Sequence, residues 1–310
     1  MSEARIGREH VVWAYRLLLD RDPESEQAIE PKLRAWRTSE ELRRDIMASE
    51  EFRLKNPDAA GHGGPALVIK PLGGARLWID LADHVIGLPI LRDGYERAAA
   101  ALAVSLVRPG DTAVDVGAHI GFFALQLADA VGATGRVHAF EPLDRNADLL
   151  ERSIAESGFG GRLQLHRAAV SDTTGEALLR FARETLNTGG AFLAAANDAA
   201  DGLATARVPT VRLDDAGLRR PVRFLKMDVE GAEPQVVRGA RRLLAEDRPF
   251  VLSEVHPEQL QRVSGTTPVA LLGEMAALGY GVHAVEDGRV GAPVDPASID
   301  RVETVILVPR

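Results

Sequence analysis

The chain has 310 residues, with 37 lysines and arginines against 45 aspartates and glutamates, and its formal net charge at pH 7 is −8. This charge argues against nucleic acid or an anionic membrane as a main partner, and no apolar run approaches the roughly 20 residues of a membrane helix. The sequence holds no cysteine, which excludes disulfides and thiol chemistry, and we expect a cytoplasmic protein of about two domains.

The first part of the chain has the apolar spacing of amphipathic helices. Val11, Tyr15 and Leu18 recur at helical intervals, and Leu42 and Ile46 do so further on. The pattern predicts a small all-helical domain over residues 1–57. A stretch rich in glycine and proline follows and predicts a linker over residues 58–66.

Residues 67–310 show the pattern of a second, larger domain. The runs ALVIK and RLWIDL, separated by PLGGA, predict a β-hairpin. From Asp111 onward, strand patterns and helix patterns alternate along the chain. Such alternation predicts an α/β domain with a mostly parallel sheet and helices on both faces.

A glycine motif, DVGAHIG, ends the first of these strands and opens a helix. Its glycines permit a tight turn, and the helix start attracts an anion. The dinucleotide fingerprint G-x-G-x-x-G would require glycine where this chain has His119 and Phe122, which weakens a nicotinamide assignment. Asp115 would repel a pyrophosphate, whereas it suits a ligand that carries an ammonium group.

Two later strand ends complete the pattern of a nucleoside site. Glu141, followed by Pro142, closes the next predicted strand, where a carboxylate can accept both hydroxyls of a ribose. Ala169, Val170 and Asp172 end the third strand, where small residues suit an adenine. Each feature alone is also an ordinary strand end or turn, but their combination favours a bound nucleoside.

Acidic residues follow two further buried strands. Lys226 and Asp228 share one side of an apolar strand, and burying two charges requires a reason. Glu254 and His256 end the next strand. We expect Asp228, Glu230, Glu254 and His256 to lie at the carboxyl edge of the sheet, where ligands bind in parallel α/β folds. The simpler alternative is that Glu230 and Glu233 favour the start of a helix.

DVGAHIG, AFEP, AAVSD, KMDVEGAE and SEVHP resemble, in order and spacing, the FkbM family of S-adenosylmethionine-dependent methyltransferases, from Tyr95 to Leu307. The resemblance implies a Rossmann-like class I methyltransferase with a seven-stranded sheet. It also implies methyl transfer to a hydroxyl of a small molecule, such as a sugar or a polyketide. We assign to S-adenosyl-L-methionine the residues Glu96, Asp115, Gly117, Ala118, His119, Gly121, Phe122, Glu141, Pro142, Ala169, Val170, Asp172 and Asp228.

Transfer to a hydroxyl requires a group that takes its proton. We expect Asp228 or His256 to be this base, with Glu254 beside them. These residues and Glu230 also suit a divalent metal, but no spacing signature supports one, and we assign no metal ligand. At His119 the family commonly has asparagine.

The N-terminal stretch YRLLLDRDP resembles a short helical module that often accompanies transferase domains. The resemblance implies a protein partner or self-association through residues 1–57. An alternative function is therefore a catalytically inactive interaction protein that recruits partners through this module. The intact Asp115, Glu141 and Asp228 argue against that alternative, and we expect a small-molecule acceptor with no nucleic-acid or membrane partner.

Overall fold

The structure is a computed structural model that describes residues 6–55, 67–81, 83, 85–181, 190–193 and 203–310. The predicted linker at 58–66 lies outside the described residues. The chain divides into two units, Met1–Val68 with Asp80–Ala82, and Ile69–Ile79 with Asp83–Arg310. The predicted limits of the domains, 1–57 and 67–310, stay predictions.

The described residues of the first unit form four helices: α1 (Arg8–Leu19), α2 (Glu26–Ala35), α3 (Ser39–Ala48) and α4 (Glu50–Lys55). Val11, Tyr15 and Leu18 are buried along one face of α1, as their spacing predicts. Thr38 caps α3, because its Oγ1 accepts the Glu41 N–H at 3.2 Å and Glu41 accepts the Thr38 N–H in return. The predicted helical N-terminal region is confirmed.

The elements that precede the main sheet are a hairpin and two helices. Strands β1 (Leu67–Leu72) and β2 (Ala75–Asp80) form a two-stranded sheet, as their apolar runs predict. Helices α5 (Gly87–Leu91) and α6 (Arg97–Ser105) follow.

The rest of the second unit alternates strands and helices. The elements in chain order are β3 (Thr112–Val116), α7 (Phe122–Val131), β4 (Arg136–Phe140), α8 (Asp144–Glu156), β5 (Leu163–His166), β6 (Ala169–Val170), β7 (Gly175–Phe181), β8 (Phe192–Leu193), β9 (Ala204–Val211), β10 (Val222–Met227), α9 (Glu233–Gly239), α10 (Arg241–Glu246), β11 (Phe250–Val255), α11 (Pro257–Gln259), α12 (Pro268–Ala277), β12 (Tyr280–Glu286), β13 (Arg289–Pro293) and β14 (Glu303–Pro309). Two 3₁₀ turns, Leu213–Asp215 and Pro296–Ser298, and a π-helical segment, Leu260–Ser264, complete them.

The main sheet has eight strands in the order β13-β12-β14-β11-β10-β3-β4-β5. The strands from β11 to β5 are parallel, whereas β14, β12 and β13 join by antiparallel pairs. This topology confirms the predicted Rossmann-like fold, with β13 as one strand more than the predicted seven. The sequence pattern missed β13 because RVGAP contains Gly291 and Pro293, which are rare in strands.

A second, smaller sheet has the order β6-β9-β7-β8. Its apolar side chains Leu179 and Val208 pack with Ala169 and Leu143 in a small separate core. Ala169 begins β6, so it lies in the smaller sheet, just beyond the carboxyl end of β5 in the larger sheet.

The carboxyl ends of β3, β4, β5, β10 and β11 meet at one edge of the main sheet, because these strands are parallel neighbours. Strand β3 is buried at every position and lies in the middle of these five parallel strands. The loops that leave it carry the predicted site residues. Among the described residues, no helix combines the length and the apolar character needed to cross a bilayer.

Candidate functional site

A cavity that opens to solvent lies at the carboxyl edge of the main sheet. The predicted cofactor residues that line it are Gly117, His119, Glu141, Pro142, Ala169, Val170 and Asp228. The topology thus brings residues from four separate motifs to one cavity.

The turn between β3 and α7 requires glycine for reasons of packing. Gly117 has φ +78°, and a Cβ atom there would lie 1.9 Å from the carbonyl oxygen of Asp228. The N–H groups of Gly117 and Ala118 both donate to the Phe140 carbonyl, and the N–H of Gly121 donates to the Ala118 carbonyl. The turn is therefore pinned to β4 and β10, and its predicted contact with a ligand carboxylate stays a prediction.

Glu141 is a buried carboxylate at the end of β4. Its Oε2 accepts the His119 N–H at 2.9 Å, and its Oε1 accepts the Leu143 N–H at 2.9 Å and the Asn146 amide at 3.4 Å. Burial raises its pKa to about 7, although these hydrogen bonds act in the opposite direction. A carboxylate held in this way in the cavity wall can accept further donors, as the two hydroxyls of a ribose would require.

His119 stands in the same turn with φ +50°. Asparagine, aspartate and histidine are the non-glycine residues that adopt this left-handed conformation most readily. Burial lowers the pKa of its ring to about 4, so the imidazole in the cavity wall is neutral at pH 7.

Lys226 lies between two aspartates of neighbouring strands. It pairs with Asp115 across the β10–β3 ladder, where its Nζ is 3.7 Å from Asp115 Oδ1. The same Nζ donates to Asp228 Oδ2 and to the Gly117 carbonyl, both at 3.2 Å. Burial opposes its charge, but Asp228, Asp115 and Glu96 together raise the pKa of Lys226.

This arrangement gives Asp115 and Asp228 different positions. Asp115 is completely buried and stands behind the cavity wall, in contact with Lys226, while Asp228 lines the cavity. The predicted contact of Asp115 with an ammonium group stays a prediction. The sequence singled out Lys226 as a buried charge, and the structure supplies the reason for burying it.

Three carboxylates gather at the ends of β10 and β11. Oxygen atoms of Asp228, Glu230 and Glu254 lie within 4.8 Å of one another. Burial, together with the charge of Asp228, raises the pKa of Glu230 and of Glu254 to about 8. Hard oxygen ligands of this kind suit a divalent cation, but acidic clusters are common without one, and we assign no metal ligand. Glu230 is a cavity residue absent from the predicted set, although KMDVEGAE contains it.

Several predicted residues lie outside the wall of this cavity. His256 directly precedes α11 and caps it, because its Nδ1 accepts the Gln259 N–H at 3.5 Å. Asp172 forms an ion pair with Arg238 at 2.9 Å. The others are Glu96, just before α6, Asp115 in β3, Ala118 and Gly121 in the glycine turn, Phe122 at the start of α7, and Glu254 in β11. Their roles stay predictions.

Apolar residues that no motif indicated complete the cavity wall. They are Ile86 and, from the smaller sheet and its approach, Leu179, Ala191 and Leu193. Only the fold could place them there, because β7 and β8 are separated from the motif strands along the chain.

The composition of the wall fits an adenosyl cofactor with a cationic end. Val116, Phe140 and Val170 offer apolar surface for a base, the buried Glu141 offers acceptors for a ribose, and Asp228 offers negative charge. These groups come from adjacent strand ends, as such a molecule spanning the edge of the sheet would require.

Comparison with known proteins gives a family match. The family described as "Methyltransferase FkbM domain" matches residues 115–282. No curated protein matches the chain.

Solved structures give distant similarities. The FkbM methyltransferase of Methylobacillus flagellatus KT is 21% identical over 71% of this chain and 50% of its own, with a TM-score of 0.45. An S-adenosylmethionine-dependent O-methyltransferase of Thermotoga maritima is 17% identical over 70% and 66%, with a TM-score of 0.39. An rRNA methylase of Streptococcus thermophilus is 10% identical over 68% and 93%, with a TM-score of 0.40. This chain thus spans half the length of the first relative.

Proposed function

Since this chain belongs to the FkbM family of S-adenosylmethionine-dependent methyltransferases, we propose that it transfers the methyl group to a hydroxyl of a small molecule. One observation carries the proposal. The buried carboxylate of Glu141 and the carboxylate of Asp228 line the same cavity from the ends of two parallel strands. The first suits the ribose of the cofactor, and the second suits the reacting end.

In this proposal, the residues of this chain bind the cofactor and align the acceptor with it. When bound, S-adenosylmethionine supplies a methyl group that its sulfonium already activates. Glu141 would hold the ribose, Phe140 and Val170 would flank the adenine, and the acidic wall at Asp228 would favour the cationic end. Alignment of the acceptor and removal of water are then the main contributions of the protein.

Asp228 is the better candidate for the group that takes the proton of the acceptor hydroxyl. It lines the cavity, and its ion pair with the buried Lys226 fixes its carboxylate. Glu254 lies in the same cluster as Asp228 and is a second candidate to accept the proton. The Nδ1 atom of His256 is already used in the cap of α11, which disfavours it as the base.

The net charge of −8 supports a small acceptor over nucleic acid. The acceptor class is a proposal and not a property of the relatives. The rRNA methylase of Streptococcus thermophilus shares a similar structure at 10% identity, so the expectation of no nucleic-acid partner stays a prediction.

Calorimetric titration of S-adenosylhomocysteine tests the cofactor site. We expect Glu141→Gln and Glu141→Ala to weaken binding by about ten-fold or more, because a charge-assisted hydrogen bond contributes roughly 1.5–3 kcal/mol. Glu274→Ala, an exposed site on α12, is the control and should bind as the wild type does. If the wild type binds no S-adenosylhomocysteine, the proposal fails, and the interaction protein becomes the better assignment.

Measurement of kcat distinguishes between Asp228 and His256 as the base. A screen of hydroxylated small molecules for release of S-adenosylhomocysteine supplies the acceptor. At saturating acceptor we expect Asp228→Asn to lower kcat by about 100-fold or more, the range of general-base catalysis. His256→Ala should retain near-normal kcat. The reverse result would assign the base to His256.

A further inference from the structure

A second cavity, of about 190 Å³, adjoins the first on the side of helices α6 and α7. Five apolar side chains form most of its wall: Leu72, Ile90, Ala100, Ala101 and Phe122. Tyr95 lines both cavities. Methyl transfer requires the acceptor to reach the cofactor, so a space that shares a wall residue with the cofactor cavity is suitably placed for it.

Tyr95 has both apolar and acidic neighbours. Its ring packs edge-on against Phe122, with the centroids 5.3 Å apart. Burial, together with the nearby charges of Glu96, Asp228 and Glu254, raises the pKa of the Tyr95 hydroxyl. Tyr95 thus packs on Phe122, an apolar wall residue of the second cavity, and also lies near the acidic cluster at Asp228.

The loop that carries Tyr95 is held in an unusual conformation. Asp93 has φ +56° and Glu96 has φ +38°, both left-handed and neither a glycine. Lys70 anchors the loop, since its Nζ lies 2.7 Å from Asp93 Oδ1 and donates to the Leu91 carbonyl at 3.1 Å. Such conformations are often found where a protein holds a ligand, because the surrounding structure has to impose them.

The charged side chains that line the second cavity are those of Asp93 and Arg97. Lys70 neutralises Asp93. Arg97 also lines the cavity, and within the described part of the chain no carboxylate lies within ion-pair distance of it. An anionic group is therefore favoured at this end, whereas the acidic cluster beyond Tyr95 favours an uncharged hydroxyl.

We propose that the second cavity binds the body of the acceptor, and that the acceptor is a small phenol with an anionic group at the end away from its hydroxyl. The inference rests on the proposed function and names its substrate class. A cavity of about 150 Å³ holds a benzene molecule, so 190 Å³ accommodates one substituted ring. Tyr95 and Phe122 supply aromatic neighbours for that ring.

Three matched phenols test the class of the acceptor. 4-Hydroxyphenylacetate is an anion, tyramine a cation and 4-ethylphenol neutral, and all share one ring with a short chain. Their dissociation constants are measured by ligand-observed NMR on the full chain saturated with S-adenosylhomocysteine. We expect the anion to bind at least five-fold more tightly than tyramine, and Arg97→Glu to reverse this order with little effect on 4-ethylphenol.

A pair of alanine variants on α6 tests the location. Ala100, which is buried in the cavity wall, is changed to leucine, and binding of all three phenols should fall at least ten-fold. Ala98→Leu, at an exposed position of the same helix, should leave it unchanged. Thermal melting of each variant verifies that it folds.

The outcomes separate this inference from the proposed function. Absence of phenol binding, or an order that Arg97→Glu does not alter, overturns the inference. Binding of S-adenosylhomocysteine under the same conditions then leaves the proposed function standing. If S-adenosylhomocysteine itself does not bind to the wild type, the proposed function fails, and the inference fails with it.

Discussion

Glu233, in the KMDVEGAE motif, stabilises the turn that follows β10. It is 2% exposed, and its Oε1 accepts the N–H groups of Val229 at 3.0 Å and Gly231 at 3.4 Å. Its Oε2 is buried and makes no hydrogen bond to any described residue. The structure therefore gives Glu233 a role in shaping the turn that carries Asp228, in keeping with the structural alternative weighed for this motif.

The raised pKa of Glu233 predicts that the free energy of unfolding changes with pH. Burial raises its pKa from 4.5 to about 7, so the folded state favours its protonated form. The stability that this group contributes is present below about pH 4.5 and is lost as the pH rises through about 7. We expect Glu233→Gln to raise the free energy of unfolding at pH 8 by about 3 kcal/mol, given roughly 1.4 kcal/mol per pKa unit, with little change at pH 5.

Urea unfolding at both pH values measures this effect. Glu274→Gln on α12, an exposed site, is the control and should change neither value. Equal stability of wild type and Glu233→Gln at pH 8 would show that Glu233 ionises without cost to the fold.

At the scale of elements, the turn between β3 and α7 depends on the absence of a side chain. Gly117 and Gly158 both have left-handed φ angles, +78° and +66°, but only Gly117 is crowded, and nothing lies within 4 Å of a Cβ at Gly158. We expect Gly158→Ala to cost about 1–2 kcal/mol, the usual penalty for this conformation. Gly117→Ala should cost clearly more and abolish binding of S-adenosylhomocysteine, because the turn must move away from Asp228.

The two alanine variants serve as a matched pair in urea unfolding and in calorimetric titration. Equal losses of stability would contradict the steric explanation and leave only the backbone conformation as the cause.

The sequence predicted the elements of this site better than its side-chain directions. Strands β3, β10 and β11 are apolar runs that end in polar motifs, so their type and the edge they share followed from the pattern. The strand residues do not reveal that Asp115 stands behind the cavity wall, or that the His256 ring caps a helix. Those facts depend on neighbours such as Lys226 and Gln259, which only the three-dimensional structure brings into contact.

At the scale of the whole molecule, the alternation of strand and helix patterns predicted the main sheet but not the smaller one. Strands β6 and β8 have two residues each, too few for a periodic signal. The smaller sheet nevertheless supplies Leu179 and Leu193 to the cavity. The parts of the site that motifs carry were therefore predictable, whereas the apolar part required the topology.

Strand β13 has a consequence for how copies of this protein meet. It is the outermost strand on one side of the main sheet, and such strands can pair with strands of other molecules and start aggregation. Pro293 has no N–H to offer a further strand, Arg289 places a charge at the other end, and both are exposed. These features disfavour the pairing of this edge with a strand of another molecule.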